Sequence, residues 1–326
     1  MKVFINALPI RHGGVLTVLL GLVKGLREAS DDLDLTVLTS AERTYNAVVG
    51  LRCADRVDRR LVGSNAPITY AWENMFLGRH VQAAGADVVL TFNHYLHNVS
   101  CPQVVYFNNL RRFSKQYRST NPFNMLAEAV RDRAAAAALK RADANVFEST
   151  FLLDAAAASH LRPIRNPHVI YVGLPDRLLD APSETTSSGA ESRRLVAITS
   201  PQPHKDNETM IRTLAELVRR EPETDWRLDV AGGVTAHAFD PLRRLAAELG
   251  VGVRITWHGY CDHHQLASLL RNGLCLLAAS RLESFAMVPL EAMAYDCPPV
   301  VANYASMPES IGQAGLLAEP GSASSF

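Results

Sequence analysis

Two glutamates, Glu283 and Glu291, stand eight residues apart in the stretch of this sequence that is best suited to chemistry. The apolar run 274–279 before them predicts a buried strand. Pro289 predicts the first turn of a helix, because the fixed φ and missing N–H of proline suit that position. The run 298–302 predicts the next strand. The loop that carries Glu283 is therefore expected at the carboxyl end of a parallel strand, where open α/β sheets bind ligands.

The two carboxylates flank a predicted helix N-terminus, where N–H groups and the helix dipole favour an anion such as phosphate. Glu283 falls in the loop and Glu291 in the first turn of the helix. Hydrogen-bond acceptors beside a phosphate suit a ligand rich in hydroxyls, so the stretch predicts a site for a nucleotide sugar. In the structural alternative, Glu291 complements the helix dipole and Glu283 is an exposed loop acid.

A lysine stands close to a second predicted helix start. Lys205 follows the predicted strand 195–198 and precedes the helical pattern of Ile211, Leu214 and Leu217. A cation is unfavourable at a helix N-terminus unless an anion lies between the two. Lys205 therefore predicts a phosphate nearby.

A pair of glycines, Gly13 and Gly14, separates the predicted strand 2–6 from a helix, and the predicted strand 33–38 follows. These elements form a βαβ unit. Glycines at that place allow a ligand to approach the backbone closely, whereas the alternative is a plain tight turn. The G-x-G-x-x-G fingerprint of dinucleotide-binding proteins is not present at this turn.

Polar residues end two successive predicted strands. His94 follows the strand 86–92, and Asn108 follows the strand 102–107. Both are expected at the rim of a ligand site. An asparagine can donate and accept hydrogen bonds but does not titrate near neutral pH. The alternative for His94 is a loop histidine that is bonded to backbone or water.

A basic patch follows at once. Residues 111–118 contain four cations, among them Arg111 and Arg112, and two aromatic side chains. The patch predicts a contact with a phosphate-bearing acceptor or with an anionic membrane surface, and a solvated loop is the alternative. The formal net charge of zero argues against nucleic acid, although residues 1–180 carry +5 and the remainder −5.

A charged stretch earlier in the chain has an alternating pattern. Arg52, Arg56 and Arg59 interleave with Asp55 and Asp58. This pattern predicts a solvated helical face with i,i+4 ion pairs.

Length and composition indicate a two-domain protein. The 326 residues predict two domains, 1–180 and 193–326, joined by the linker 181–192, which has no apolar periodicity. The five cysteines lack metal-type spacing, which favours a reducing cytoplasm. We expect no signal peptide and no membrane span, and any membrane contact would be peripheral.

Three segments carry a resemblance to a known family. Residues 283–294, then 298–302 and 307–309, resemble the E-x7-E region of the retaining glycosyltransferases of group 1. The resemblance implies the GT-B fold, an α/β architecture of two Rossmann-like, doubly wound domains that face each other across a cleft. The second domain would bind a nucleoside diphosphate sugar. The first would bind the acceptor, which is a glycan, a lipid-linked saccharide or a small molecule. The sugar would be transferred with retention, and neither a metal nor a cofactor is implied.

The resemblance also implies roles for single residues. Glu283 would lie near the donor sugar, Glu291 would bind the ribose, and Lys205 would meet the charge that builds on the leaving diphosphate. The implied catalytic residues are Glu283, Lys205 and Asn108. The implied donor-binding residues are Gly13, Gly14, Ser200, Lys205, Gly259, Tyr260, Glu283, Ser284, Phe285, Ala286, Met287 and Glu291. The acceptor candidates are His94, Arg111 and Arg112.

Two positions depart from the family pattern. Asn108 occupies the place of a histidine, and Ser200 occupies the place of an arginine. These departures leave open a nucleotide-sugar-binding protein without transferase activity. A nicotinamide-dependent oxidoreductase is the third interpretation, against which the absent dinucleotide fingerprint argues.

Overall fold

The computed structural model divides into two compact units, Met1–Gly173 and Leu174–Phe326. The residues that it describes are 1–11, 13–62, 66–114, 122–159, 161, 163–175, 178, 192–233 and 237–326. Residues 115–118 of the basic patch and 181–191 of the predicted linker lie outside these ranges. The predictions that fall on them, including the membrane contact, stay predictions.

A parallel sheet forms the centre of the first unit. Its strands are β1 Lys2–Ala7, β2 Asp34–Thr39, β3 Arg56–Arg59, β4 Val88–Phe92, β5 Gln103–Phe107, β6 Ala144–Phe147 and β7 Pro167–Val169. They lie in the order β3-β2-β1-β4-β5-β6-β7, and every neighbouring pair is parallel. The strand order reverses between β1 and β4. Ligands of open α/β sheets bind in the crevice at the carboxyl ends of such a pair.

Helices pack on this sheet through apolar faces. The helices are α1 Gly14–Ala29, α2 Glu42–Leu51, α3 Ala66–Trp72, α4 Gly78–Ala84, α5 Pro122–Arg141 and α6 Thr150–Ala158, with a π-helical turn Glu73–Leu77 and a 3₁₀ turn Leu110–Arg112. Leu16, Leu19 and Val23 recur along one side of α1 and pack into the same buried cluster as Val3 and Ile5 of β1. The spacing of three and four residues places them on one helix face.

The predicted helical face at residues 52–60 is wrong. Helix α2 ends at Leu51, and β3 follows as an edge strand paired with β2. The side chains of Arg56 and Asp58 are paired at 3.0 Å, two residues apart, which a strand places on one face and a helix does not. The charged alternation therefore belongs to a solvated sheet edge.

The second unit contains another parallel sheet. Its strands are β8 Ser192–Ile198, β9 Asp225–Ala231, β10 Ile255–Gly259, β11 Cys275–Ala278, β12 Pro299–Ala302 and β13 Leu316–Ala318. Their order is β10-β9-β8-β11-β12-β13, again parallel throughout. The order reverses between β8 and β11. The expectation of two doubly wound α/β domains is confirmed by these two sheets.

The helices of the second unit are also amphipathic. They are α7 Asn207–Arg220, α8 Asp240–Glu248, α9 His263–Arg271, α10 Met287–Met293 and α11 Met307–Ile311, with a 3₁₀ turn Pro203–Lys205 before α7. Met210, Ile211 and Leu214 of α7 are buried against Leu195 and Leu228 of the sheet. Within the described ranges, no helix combines the length and the apolar composition that crossing a membrane requires.

Candidate functional site

The contact between Lys205 and Glu283 lies at the reversal of strand order in the second sheet. Lys205 ends the 3₁₀ turn that follows β8, and Glu283 lies in the loop between β11 and α10. Lys205 Nζ donates to Glu283 Oε1 at 2.6 Å, and the two side chains are 26% and 20% exposed. Both can therefore be reached from solvent at the carboxyl ends of adjacent strands, where ligands of this architecture bind.

The two loops that carry these residues are bonded to each other. The backbone carbonyl of His204 accepts from the Arg281 amide at 2.7 Å and from the Ser280 hydroxyl at 3.3 Å. Arg281 also forms a 2.7 Å ion pair with Asp206. These contacts hold Lys205 beside Glu283 through the backbone and not only through their own side chains.

The strand end before Lys205 is fixed by a side-chain network. Thr199 Oγ1 donates to Asn207 Oδ1 at 2.7 Å, and Asn207 Nδ2 donates to the Ser200 carbonyl at 2.8 Å. Asn207 is the first residue of α7, so the network joins the end of β8 to that helix. Ser200 takes part through its carbonyl oxygen, and its partly exposed side chain lies at the same sheet edge as Lys205.

Two buried serines hold the loop from Glu283 to Met287. Ser306 Oγ donates to the Glu283 carbonyl at 3.1 Å, and the Ala286 amide donates to Ser310 Oγ at 3.0 Å. Ser310 in turn donates to the Ser306 carbonyl at 3.0 Å. The backbone amide of Ala286 was predicted to face a diphosphate, and it donates its hydrogen bond to Ser310 instead. Ser284, Phe285 and Met287 lie in the same loop and helix start. Glu291 is the fifth of the seven residues of α10, so its predicted place in the first helical turn is wrong.

The role of Ser306 and Ser310 was missed from the sequence. They flank residues 307–309, which carry part of the family resemblance, in the segment Ser-Met-Pro-Glu-Ser. Serines four residues apart on one helix face would have been the signal. Nothing in the sequence indicates which loop they would contact.

Close backbone packing shapes the neighbouring strand ends. A side chain at Gly232, which follows β9, would meet the Thr199 carbonyl at 1.8 Å, so this position requires glycine. Gly232 N–H donates to the Gly259 carbonyl at 2.6 Å, and Gly259 itself has a φ of 66°. The Tyr260 ring beyond it is 69% exposed. Gly259 is the last residue of β10 and Tyr260 follows it. Both therefore lie at the carboxyl ends of the strands, as Lys205 does.

In the first unit, the glycine pair begins α1. Gly13 has a φ of 75° and caps the helix, and the Leu16 amide donates to its carbonyl at 2.9 Å. A Cβ at Gly13 or Gly14 would meet no atom within 4 Å. The first glycine is therefore required by its left-handed backbone, and open space lies beside both.

Asn108 is bonded to the neighbouring strand end. Asn93 Nδ2 donates to Asn108 Oδ1 at 2.7 Å, and the Asn108 amide donates to Asn93 Oδ1 at 3.2 Å. This reciprocal pair joins the carboxyl ends of β4 and β5. It holds Asn108 at the sheet edge where the sequence predicted it.

A buried network that the sequence analysis missed lies beside His94. Glu73, only 1% exposed, accepts from Asn6 Nδ2 at 2.7 Å and lies 3.0 Å from His94 Nε2. The other ring nitrogen of His94 lies 2.8 Å from the Phe92 carbonyl. The Nδ1 atom thus has a backbone partner. The Nε2 atom lies within ion-pair distance of the Glu73 carboxylate but makes no hydrogen bond among the described residues.

Glu73 begins the π-helical turn, a rare geometry that is often found at functional sites. The Tyr70 ring lies edge-on to His94 with centroids 5.4 Å apart. No signal in the sequence singled out Glu73, because its partners Asn6 and His94 come from distant segments. Asn6 lies in β1 and His94 follows β4, the two strands between which the order of the first sheet reverses.

The basic patch begins in the 3₁₀ turn after β5. The Asn109 side chain caps this turn by accepting from the Arg111 amide at 3.1 Å. Arg111 is exposed and Arg112 is partly buried. The structure thus places both acceptor candidates at the carboxyl end of β5, together with Asn108.

No group of three or more potential metal ligands occurs among the residues that the structure describes. The adjacent His263 and His264 have ring centroids 6.2 Å apart. His263 Nε2 lies 3.0 Å from the Tyr295 hydroxyl. The expectation that no metal takes part stays a prediction.

The second unit is similar in sequence to known glycosyltransferases. Residues 186–326 match the family model described as "Glycosyl transferases group 1". The D-inositol 3-phosphate glycosyltransferase of Corynebacterium efficiens is 33% identical over 122 residues, which are 36% of this chain and 29% of that protein. The mouse alpha-1,3/1,6-mannosyltransferase ALG2 is 28% identical over 192 residues, 54% of this chain and 44% of that protein. The chain thus spans less than half of the length of these relatives.

Solved structures share the fold of the whole chain. The Anabaena protein HepE, solved in complex with UDP and glucose, has a TM-score of 0.70 at 18% identity, covering 100% of this chain and 87% of that chain. A glycosyltransferase from Rickettsia africae has a TM-score of 0.74 at 14% identity, covering 99% and 85%. The chain therefore has the two-domain α/β fold of GT-B glycosyltransferases.

Proposed function

We propose that this protein is a retaining glycosyltransferase that moves a sugar from a nucleoside diphosphate sugar to a hydroxyl group of an acceptor, without a metal or a cofactor. The observation that carries the proposal is the Lys205–Glu283 contact at the reversal point of the second sheet. A cation and a carboxylate there can serve the two halves of such a donor, the diphosphate and the sugar. The family match of residues 186–326 supports this assignment.

The donor would lie along the carboxyl ends of β8 and β11. Lys205 would meet the negative charge that develops on the leaving diphosphate, an electrostatic stabilisation that requires a preorganised cation. The bonded loops around His204 and Arg281 provide this preorganisation. Glu283 would accept hydrogen bonds from the sugar hydroxyls once Lys205 turns to the diphosphate.

The remaining contacts follow from the same edge. Glu291 would bind the ribose hydroxyls, and the exposed Tyr260 beyond Gly259 would lie against the base. The amides of Phe285 and Met287 would face the phosphates, since that of Ala286 donates to Ser310. The complex of HepE with UDP and glucose supports a donor of this chemical class.

Retention would come from attack on the same face of the sugar. The bond from the anomeric carbon to the diphosphate oxygen breaks, and the acceptor oxygen forms the new bond. The proton of the acceptor hydroxyl passes to the departing phosphate oxygen, so the diphosphate acts as the base. Lys205 would stabilise that oxygen until it takes the proton. This route requires no carboxylate nucleophile.

The acceptor would be a glycan, a lipid-linked saccharide or a small molecule, bound by the first unit. Asn108, Arg111 and Arg112 end β5 and would contact it. His94 would act indirectly, since it is buried between the Phe92 carbonyl and Glu73. It would help to hold the carboxyl end of β4 in place.

A screen of nucleoside diphosphate sugars tests the proposal. Isothermal titration would measure binding, and release of the nucleoside diphosphate would measure hydrolysis or transfer. We expect one donor to bind and to be turned over, with turnover reduced in Lys205→Met. Binding without turnover, even with added acceptors, would indicate a nucleotide-sugar-binding protein instead. Stabilisation by NAD alone would revive the oxidoreductase interpretation.

A further inference from the structure

Arg112 presents an uncompensated cation at the carboxyl end of the first sheet. Its Nε and Nη1 are buried and have no hydrogen-bond partner among the described residues. The residue as a whole keeps some exposure. Arginine carries five N–H donors and almost always pairs them when it is buried.

The surroundings of Arg112 add positive charge. Burial and then repulsion from Arg131 lower the pKa of Arg112 to about 10, against the opposite influence of Asp132 and Tyr70. Arginine at this pKa is still cationic at neutral pH. Asp132 does not hydrogen bond to the buried Nε or Nη1. Arg131 therefore lies close enough to Arg112 to repel it, and Asp132 compensates only part of the positive charge of the two arginines.

The backbone that carries Arg112 is held in place on both sides. Asn109 caps the 3₁₀ turn before it. The Phe113 ring after it lies 5.7 Å from that of Phe107, which stacks on Phe147 at 5.1 Å. The backbone that carries Arg112 is thus held by packing and does not depend on a ligand, which favours a preorganised site.

We propose that Arg112, aided by Arg131, is the recognition site for a phosphate monoester on the acceptor. An anion with nearly two negative charges matches two cations, and a guanidinium forms strong charge-assisted hydrogen bonds with phosphate. The ligand would supply the acceptors that Nε and Nη1 lack. The statement that the phosphate belongs to the acceptor rests on the proposed function. Phosphate binding by Arg112 does not depend on that function.

Binding of glycerol 3-phosphate, with glycerol as the neutral counterpart, tests this site. Isothermal titration of the full chain should show binding of glycerol 3-phosphate that falls at least tenfold in Arg112→Gln. Arg133→Gln removes an equally exposed charge of the same helix as Arg131 and should change the affinity less than twofold. Equal binding by the wild type and Arg112→Gln would overturn the proposal. So would the absence of binding by the wild type both in this titration and in the vesicle assay described below.

A second measurement separates recognition from a structural role. Arg112→Gln should have an unchanged or higher Tm without ligand, since a buried cation without a partner is removed, and should lose the stabilisation that inorganic phosphate gives the wild type. A lower Tm with undiminished stabilisation by phosphate would contradict the site. Binding of the nucleotide-sugar donor by the wild type is measured separately, so that failure of the donor assay and failure of the phosphate assay are distinguishable.

The source of the phosphate can be determined in the same way. Sedimentation with vesicles that contain phosphatidic acid, against phosphatidylcholine vesicles, detects a phosphate monoester on a lipid. Binding of free glycerol 3-phosphate without vesicle binding supports a soluble phosphorylated acceptor. Vesicle binding that depends on Arg112, without binding of the free compound, supports the same phosphate chemistry on a lipid. Vesicle binding that is unchanged in Arg112→Gln counts against the site.

Discussion

Lys205 and Glu283 are separated by 78 residues in the sequence, and their charged atoms lie 2.6 Å apart. Each follows a strand next to the reversal of order in the second sheet, β8 for Lys205 and β11 for Glu283. Under the proposed function, Glu283 would compensate the charge of Lys205 until a donor diphosphate takes the place of the carboxylate. The first predictions concern this exchange.

Replacing Lys205 by methionine should lower kcat by about 10²- to 10³-fold, the usual effect of removing one donor that stabilises a developing anion. Binding of the donor should weaken less, because the charge on the diphosphate grows in the transition state. Steady-state kinetics with the donor identified by screening measures both. Arg212→Met removes an exposed cation of α7 and should leave kcat unchanged. Equal kinetics for wild type and Lys205→Met would refute the assignment.

Replacing Glu291 by alanine should weaken nucleotide binding by roughly ten- to a hundredfold, the range for hydrogen bonds to a charged group. Titration with the nucleoside diphosphate gives the Kd directly. Glu248→Ala, at the exposed end of α8, is the matched control and should bind normally. If both variants bind alike, Glu291 does not contact the nucleotide.

Replacing Ser310 by alanine should destabilise the second unit by about 1–3 kcal/mol, because the buried Ala286 amide loses its acceptor. The same loss should loosen the loop at Glu283 and weaken donor binding. Urea unfolding measures the stability. Ser268→Ala on the exposed side of α9 should stay within about 0.5 kcal/mol of the wild type. A neutral effect of Ser310→Ala would show that the amide finds another acceptor.

Breaking the buried pair of Glu73 and His94 should be costly. Glu73→Ala leaves the buried Asn6 amide without its acceptor and should reduce the free energy of unfolding by about 1–3 kcal/mol. The double variant Glu73→Ala/His94→Ala should lose less than the sum of the single changes, because the two side chains are in contact. Urea unfolding of the three variants tests this. Additive losses would show that the two side chains are not coupled.

Acid should weaken the contact of Asp55 with the second strand. The Leu35 amide, which donates at 2.7 Å, lowers the pKa of Asp55 below 3.8, and Arg27 adds to this while burial opposes it. A depressed pKa gives a contribution that is present above the unfolded value of 3.8 and is lost as the pH falls through the folded value. Asp55→Asn should therefore be less stable than the wild type near neutral pH and converge with it below about pH 3. The difference should stay below about 1 kcal/mol, because 48% of the side chain is exposed.

Urea unfolding between pH 2 and 7 measures this difference. Asp31→Asn, an exposed neighbour, should run parallel to the wild type at every pH. A constant difference between the wild type and Asp55→Asn across the whole range would contradict the assignment.

Local pattern was enough to predict most of the elements. The apolar runs at 86–92 and 274–279 match β4 and β11 to within two residues, because buried parallel strands are short and continuously apolar. The pattern at 52–60 was misinterpreted, because alternating charges fit a helix surface and an edge strand equally well. The pairing of β3 with β2 decided between them.

The sequence by itself determined which residues could bind a nucleotide sugar and at which ends of which elements they stand. Glu283, Glu291 and Lys205 are marked by adjacent strands and helix starts, and these are local properties. Only the tertiary structure decided that Lys205 meets Glu283 and that Glu73 lies beside His94. Strand order brings these partners together from distant segments, and burial makes each contact energetically important. Neither strand order nor burial can be obtained from the spacing of residues along the chain.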